Sequence, residues 1–222
     1  MKRIASLISG IIIFTGLPLT GWGLGDIQGF IQNPYRLAYI LIMSLLTVLV
    51  VIFVPNEGRS QGKGEKLVKK QKLSLLFLQI LPVAIILLSP YCDHHQVAVF
   101  HESNSIRISG LLLTLAGFIL MNWSVLALGK QFSINVTIQK NHQLITIGPY
   151  KYIRHPRYAG IIVFFGGVTL TFLSLISLII VFFLFLVLIW RIKDEEKLMH
   201  EEFKEEWEEY TKKTFSLIPF VY

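Results

Sequence analysis

The sequence predicts an all-α, polytopic membrane protein with about six membrane-embedded helices and a cytoplasmic, amphipathic C-terminal helix. Three observations support this fold class. Of the 222 residues, 53% are hydrophobic and only 16% are charged, with a mean hydropathy of +0.59. A soluble domain usually carries about a quarter charged residues. The charges also lie between long apolar runs, which is typical of an integral membrane protein.

Five apolar segments follow one another, at 4–21, 37–54, 73–89, 108–128 and 159–190. The first four are each close to the ~20 residues that cross a bilayer as a helix. The first begins like a signal peptide, but Pro18 and Trp22 replace a small-residue cleavage site, so we expect a retained span. As one helix the fifth would be about 48 Å long, which exceeds the hydrocarbon core. We therefore predict a hairpin of two short helices, bent near 171–175 without Pro or Gly.

The distribution of Lys and Arg supports six crossings. If the N-terminus lies inside, 19 of the 21 Lys and Arg fall on inside segments, namely the N-terminus, 55–72, 129–158 and 191–222. Both termini are therefore predicted to be cytoplasmic. The short loops favour a bacterial inner membrane over the endoplasmic reticulum. The net charge of +7 is assigned to topology and anionic lipid, and nucleic-acid binding is not expected.

Several smaller features complete the organisation of the chain. Loop 55–72 is polar, glycine-rich and basic, and is predicted to be a linker on anionic lipid. The single cysteine, Cys92, is expected to be an accessible thiol in loop 90–107, and no Cys or His cluster indicates a metal site. Five glycines are expected to allow close helix packing: Gly110, Gly117, Gly160, Gly166 and Gly167.

The stretch GPYKYIRHPRYAG, residues 148–160, stands between two apolar runs. Pro156 disfavours helix at His155 and suits the first turn of a helix, so His155 is expected to be extended at the mouth of the hairpin. The free N–H groups and positive end of that helix suit a carboxylate or a phosphate. From composition alone, a basic and aromatic rim at the membrane surface is the simpler interpretation.

The tail, RIKDEEKLMHEEFKEEWEEYTKK, is predicted to form one helix over 191–213. Its apolar residues share one arc at 100° per residue: Ile192, Met199, Phe203, Trp207 and Tyr210. Glu196 falls inside this arc and Glu195 on its edge, four residues after Arg191. Such a pair would contribute little at a solvated surface, but ionisable groups facing inward at a membrane are more often functional.

The motif and the tail together resemble the isoprenylcysteine carboxyl methyltransferase family over roughly 120–222. The family pattern is a Gly-x-Tyr turn, Arg-His-Pro-x-Tyr-x-Gly, an apolar hairpin, Arg-x-x-x-Glu-Glu and an aromatic helix ending near Ile-Pro, here in SLIPF. The C-terminal motif also resembles that of phospholipid N-methyltransferases. Where many members have Phe-Gly in the tail, this chain has Phe203-Lys204.

The resemblance implies transfer of a methyl group from S-adenosylmethionine to the carboxylate of a prenylated cysteine. It assigns Arg191 to the substrate and a catalytic role to Arg191, Glu195 and His155. The cofactor contacts that it implies are Gln139, His142, Gln143, Leu144, Ile145, Tyr150, His155, Pro156, Arg157, Tyr158 and Glu195. The helical arc places Glu196 more centrally than Glu195, so Glu196 stays a second candidate for the cofactor.

The chemistry suits these residue types. Methyl transfer needs approach geometry and loss of water more than acid–base groups, and a carboxylate acceptor is already ionised at neutral pH. Arg191 would clamp that acceptor bidentately, and Glu195 would pair with the cofactor's ammonium group. His155 would position the cofactor or, for an amine or thiol acceptor, remove a proton.

Other functions remain open from the sequence. The acceptor could be isoprenylcysteine, a phospholipid amine or a small thiol or acid. An NADPH-dependent membrane reductase is one alternative, although sterol reductases typically have Arg-His-x-Asn-Tyr where this chain has Pro156-Arg157-Tyr158. A non-enzymatic membrane scaffold is another. Expected partners are the lipid bilayer and a lipidic or prenylated acceptor, without nucleic acid or metal.

These predictions divide the chain into two parts, with N-terminal membrane helices at 1–107 and a catalytic region at 108–222. The catalytic region comprises a cofactor-binding loop at 129–158, the hairpin at 159–190 and the tail helix at 191–213.

Overall fold

The computed structural model describes residues 2–54, 66–67, 71–129, 132, 137–138 and 143–218. Within these residues the helices are α1 (Lys2–Ile11), α2 (Leu17–Trp22), α3 (Ile27–Gln32), α4 (Pro34–Phe53), α5 (Lys72–His95), α6 (Asn104–Leu128), α7 (Pro156–Thr171), α8 (Leu175–Phe203) and α9 (Glu205–Lys213). A two-residue strand β1 (Lys66–Leu67) pairs antiparallel with β2 (Thr137–Ile138). Most of loop 55–72 lies outside the described residues.

Five helical stretches in this part of the chain are long and apolar enough to cross a membrane. The first runs from Arg3 to Trp22 through α1, a π-helical turn at Ile12–Gly16 and α2. The others are α4, α5, α6 and α8, and α7 adds a sixth, shorter helix of 16 residues. The predicted all-α, polytopic membrane fold is therefore confirmed.

The fifth apolar segment folds as the predicted hairpin. α7 ends at Thr171, and the Ser174 hydroxyl caps α8 by accepting from the Ser177 N–H at 3.1 Å. Leu173 takes a φ of +53° although it is not glycine. The Phe100 N–H donates to the Leu173 carbonyl at 2.8 Å, so the preceding loop satisfies a polar group that the turn frees. The chain can bend here without Pro or Gly because a neighbouring segment supplies these backbone partners.

α6 and α7 pack antiparallel through small residues. A Cβ placed on Gly117 would lie 2.3 Å from the backbone nitrogen of Phe164, so nothing larger than glycine fits without moving the helices apart. Four of the five predicted contact glycines lie in this interface: Gly110, Gly117, Gly160 and Gly167. The prediction is wrong for Gly166, where no neighbouring heavy atom lies within 4 Å of an added Cβ.

A buried ion cluster lies at the end of the bundle that carries the hairpin turn. Arg107 is 0% exposed and donates to both carboxylate oxygens of Asp93 and to Glu102, each at 2.8 Å. Arg36 also donates to Asp93 at 2.8 Å. Because Arg107 donates to the Thr171 carbonyl at 2.8 Å, the cluster fixes the end of α7. The beginning of α7 and the end of the apolar part of α8 then lie together at the opposite end of the bundle.

Two sequence predictions about helix limits are wrong. α5 extends to His95, so Cys92 is inside a helix and only 1% exposed instead of accessible in a loop. The tail is not one helix over 191–213, because α8 ends at Phe203 and α9 begins at Glu205. Lys204 between them has a φ of 48° and a ψ of −116°, a conformation that favours glycine. This is the position where the family pattern often has glycine. The division of the chain at 107 stays a prediction.

Candidate active site

The segment after α9 runs beside the basic motif and sets its register. The Arg154 N–H donates to the Phe215 carbonyl at 2.8 Å, and the His155 N–H donates to the Ser216 carbonyl at 3.0 Å. In return the Phe215 N–H donates to the Tyr152 carbonyl at 3.0 Å. These three bonds form a short parallel bridge, so the end of the tail holds the residues just before α7.

His155 stands at the start of α7. Its carbonyl accepts from the N–H groups of Tyr158 at 3.0 Å and Ala159 at 3.1 Å, and Pro156 occupies the first helical position. The prediction that Pro156 begins a helix is confirmed. His155 itself has a φ of −122° and a ψ of 55°. Its backbone leaves the helix but is not extended, so the prediction of an extended residue is wrong.

The imidazole of His155 lies between two carboxylates. Its Nδ1 is 3.4 Å from Glu195 Oε2, and its Nε2 is 3.2 Å from Glu196 Oε1. With an acceptor facing each ring nitrogen, the cationic form, which carries a proton on both, satisfies both contacts. Burial lowers the pKa of His155, but the hydrogen bonds to the two carboxylates outweigh it and raise the pKa above its ordinary value. The two carboxylates therefore favour the cationic form of His155, in which it cannot act as a base.

Glu196 joins three parts of the chain. Its Oε1 accepts from Arg154 Nε at 2.9 Å and from the Ser216 hydroxyl at 3.0 Å, in addition to facing His155. Since Arg154 precedes α7 and Ser216 follows α9, Glu196 ties both to α8. Glu196 therefore stabilises the arrangement of these three segments around the site.

Glu195 belongs to a second group of contacts, with Tyr158 and Arg191. The Tyr158 hydroxyl donates to Glu195 Oε1 and accepts from Arg191 Nε at 3.3 Å. Arg191 Nη2 lies 3.8 Å from Glu195 Oε1, which confirms the predicted pair one helical turn apart. The Arg191 side chain is 2% exposed, whereas that of Glu195 is 22% exposed. A buried cation and a more accessible carboxylate thus stand side by side.

Aromatic residues contact the segments that flank this site. Tyr150 is buried, and its carbonyl accepts from the Tyr210 hydroxyl at 2.6 Å. Burial raises the pKa of Tyr210 to about 12, so this hydroxyl stays neutral and keeps donating. On the other side, the guanidinium of Arg157 lies 4.8 Å from the centre of the Phe132 ring. That distance fits a cation–π contact, which orients the side chain at the start of α7.

The structure thus joins four of the predicted site residues by direct contacts, namely His155, Tyr158, Arg191 and Glu195. Gln143, Leu144 and Ile145 lie in a segment without regular structure, with Gln143 exposed and the other two half-buried. Gln139 and His142 lie outside the described residues. Among the residues that are described, no group of three or more His, Cys, Asp or Glu could hold a metal ion.

Three residues of the site were not predicted from the sequence. Arg154 lies within the basic motif, where the sequence pattern predicts no specific role for it, and Ser216 follows the tail helix without any distinguishing pattern. Ser74 lies on α5, where its hydroxyl accepts from Arg191 Nη1 at 3.3 Å. No spacing rule connects residues that come from such distant segments, so only the fold reveals them.

Comparison with known proteins places the site in a family context. Residues 110–201 match the isoprenylcysteine carboxyl methyltransferase (ICMT) family. A rice protein (Oryza sativa subsp. indica) named "Probable protein-S-isoprenylcysteine O-methyltransferase" is 29% identical over 119 residues, which are 50% of this chain and 60% of the rice chain. Protein-S-isoprenylcysteine O-methyltransferase B of Arabidopsis thaliana is 30% identical over 119 residues, covering 50% of this chain and 58% of its own.

A yeast relative gives a similar picture. Protein-S-isoprenylcysteine O-methyltransferase of Saccharomyces cerevisiae is 34% identical over 121 residues, which cover 51% of this chain and 49% of the yeast protein. The alignments therefore span about half to three fifths of the relatives' own length. The resemblance identified from the motif and the tail is confirmed.

Proposed function

We propose that this chain, whose residues 110–201 belong to the isoprenylcysteine carboxyl methyltransferase family, transfers a methyl group from S-adenosylmethionine to the carboxylate of a membrane-associated acceptor. The acceptor that fits best is an isoprenylcysteine, because its prenyl chain can stay in the bilayer while its carboxylate reaches the end of the hairpin. The positive charges of the loops favour the cytoplasmic face for this site, and the short loops favour a bacterial inner membrane.

The observation that carries the proposal is the pairing of opposite charges at the mouth of the hairpin. Arg191 is buried and offers a planar set of N–H donors that matches a carboxylate. Glu195, whose nearest oxygen is 3.8 Å from this guanidinium, offers the opposite charge. Opposite charges side by side suit a reaction that brings an anionic acceptor to a donor bearing an ammonium group.

The state of His155 favours a carboxylate over an amine or a thiol. An amine or thiol acceptor must lose a proton, which requires a nearby base. His155 is the imidazole of this site, and both of its nitrogens face carboxylates that favour its cationic form. A carboxylate acceptor is ionised at neutral pH and needs no base. The site therefore suits esterification better than N- or S-methylation.

The residues present fit the chemical groups of S-adenosylmethionine. Glu195 keeps part of its carboxylate accessible and would take the ammonium group. The positive end of α7, with Arg157 in its first turn, would take the carboxylate group. Leu144, Ile145 and Tyr150 would contact the adenosine. When bound, S-adenosylmethionine supplies an electrophilic methyl group on a sulfonium.

The chain's own residues would supply position and a dry environment. Arg191 would hold the acceptor carboxylate by two parallel N–H bonds, which limits its approach to one direction. The Tyr158 hydroxyl contacts both Arg191 and Glu195. It would therefore fix the position of the residue that binds the methyl acceptor relative to the residue that binds S-adenosylmethionine. The buried surroundings of Arg191 exclude water and strengthen these contacts.

The test is a methylation assay with the purified full chain in lipid nanodiscs. Labelled S-adenosylmethionine is mixed separately with a prenylcysteine, a phospholipid amine and a small thiol. We expect label on the prenylcysteine in a form that dilute base releases, since methyl esters hydrolyse there whereas N- and S-methyl groups do not. Base-stable label on the amine or thiol would overturn the choice of acceptor. NADPH binding without S-adenosylmethionine binding, measured by calorimetry, would favour the reductase instead.

A further inference from the structure

We propose that Ser74 is a positioning residue for the acceptor, acting through Arg191. Ser74 stands on α5, outside the residues 110–201 that match the family. The inference rests on the proposed function and deepens it, because it assigns part of the acceptor site to the N-terminal helices.

The Ser74 hydroxyl is placed to receive the guanidinium. Ser74 is 1% exposed, and its Oγ donates to the Gln71 carbonyl at 3.0 Å. Because a hydroxyl has one hydrogen, this bond turns its lone pairs outward. Arg191 Nη1 lies 3.3 Å from the same oxygen. The first turn of α5 thus fixes the direction in which Ser74 accepts from Arg191.

Two hydroxyls from different helices hold the guanidinium of Arg191. Its Nε donates to Tyr158 on α7, and its Nη1 donates to Ser74 on α5, both at 3.3 Å. Contacts at two of its three nitrogens define the plane of the guanidinium. Ser74 therefore sets an orientation that α7 and α8 would not set by themselves.

The buried arginine at the other end of the bundle shows the contrasting arrangement. Arg107 is held by Asp93 and Glu102 at 2.8 Å, so carboxylates both orient it and neutralise its charge. Arg191 instead donates to the neutral hydroxyls of Ser74 and Tyr158, and its ion pair with Glu195 is longer, at 3.8 Å. An arginine that must bind an anionic ligand needs orientation of this second kind, because a short internal ion pair would compete with the ligand.

The test compares Ser74→Ala with the matched control Ser89→Ala in nanodiscs. Ser89 is on the same helix, 0% exposed, and its hydroxyl donates to the Ile85 carbonyl at 2.7 Å, far from the site. We expect Ser74→Ala to raise the KM for prenylcysteine about tenfold, equal to about 1.4 kcal/mol, while the Kd for S-adenosylmethionine stays unchanged. Ser74→Thr, which keeps a hydroxyl, should bring the KM to within about twofold of the wild type. Ser89→Ala should leave both constants unchanged.

A second variant separates positioning from a merely structural role. Ser74→Asp places a carboxylate against Arg191, which should raise the acceptor KM by more than tenfold without lowering the thermal unfolding temperature. If Ser74 only stabilises a buried arginine, Ser74→Asp leaves the KM unchanged and Ser74→Ala lowers the unfolding temperature instead. That result, or equal KM values for Ser74→Ala and the wild type, overturns the inference alone. A wild-type protein that methylates no carboxylate overturns the proposed function, and this inference with it.

Discussion

Arg191 Nε lies 3.3 Å from the hydroxyl of Tyr158, although the two residues are 33 positions apart on the two arms of the hairpin. The contact exists because the arms have matching lengths. α7 begins beside the site at Pro156 and ends at Thr171. α8 then runs back along it, so that Arg191 lies level with Tyr158. The basic motif and the tail therefore form one site, in which the charge of α8 meets the aromatic and basic residues at the start of α7.

Replacing Glu195 by Gln should weaken binding of S-adenosylmethionine. The change keeps the shape of the side chain and removes the charge that would pair with the ammonium group. We expect a loss of about 2–4 kcal/mol in binding free energy, as for a partner removed from a desolvated charge pair. Calorimetry on the purified protein measures it. Glu201→Gln, an exposed acid further along α8, is the control and should bind as the wild type does. Equal affinities for all three proteins would exclude Glu195 from the donor site.

His155 should make the stability of the protein depend on pH. Its pKa is raised in the folded protein because the two carboxylates outweigh burial. The stabilisation is fully present below the unfolded pKa of about 6.5 and is lost as the pH rises through the raised folded pKa. The unfolding temperature of the wild type should therefore be higher than that of His155→Gln at about pH 6, and this difference should be smaller at about pH 9.5.

The control for this pH dependence is Thr146→Ala, at an exposed position without a titratable side chain, whose difference from the wild type should stay constant across the same range. A His155→Gln difference that grows with pH would mean that His155 is neutral in the folded protein.

Lys204→Gly should stabilise the protein. Lys204 has a φ of 48° and a ψ of −116° between α8 and α9, which glycine adopts without steric cost. Strain of this kind costs about 1–3 kcal/mol, and the greater freedom of glycine in the unfolded chain offsets part of the gain. We expect a net gain of about 1 kcal/mol, visible as a higher unfolding temperature in detergent. Lys204→Ala removes the same charge but keeps a Cβ, and should show no such gain.

Cysteine labelling in intact cells should establish the topology. Because native Cys92 is buried, it is a silent background and not the reporter that the sequence suggests. Val97→Cys, near the hairpin turn, should react with an impermeant maleimide from outside. Thr146→Cys and Glu201→Cys, at exposed positions, should react only after the cells are permeabilised. Labelling of Glu201→Cys from outside would contradict the six-crossing arrangement.

Local rules were sufficient for much of the fold. The hairpin followed from the excessive length of one apolar segment, and the helix start at Pro156 followed from the geometry of proline. The glycines of the α6–α7 interface followed from their place in apolar spans. Each of these features depends on residues close together in the sequence, where length and periodicity carry the information.

Features that depend on distant segments were not predictable. The cluster of Arg36, Asp93, Glu102 and Arg107 forms only when α4, α5 and α6 have packed. Glu195 and Glu196 are adjacent in the sequence, and the helical arc gave the central position to Glu196. The structure separates them because Ser216, which follows α9, binds Glu196. That segment joins the site only after the break at Lys204 redirects the chain.

The most direct test of the central claim is a comparison of donor and acceptor constants for Arg191→Lys. Lysine keeps the positive charge but cannot hold a carboxylate with two parallel N–H bonds. If Arg191 clamps the acceptor carboxylate, kcat/KM for a prenylcysteine should fall by about tenfold or more, about 1.4 kcal/mol or more in the transition-state free energy, while the Kd for S-adenosylmethionine stays within about twofold of the wild type. Unchanged methyl-ester formation by Arg191→Lys would contradict the account, since Arg191 would then be only a structural partner of Glu195.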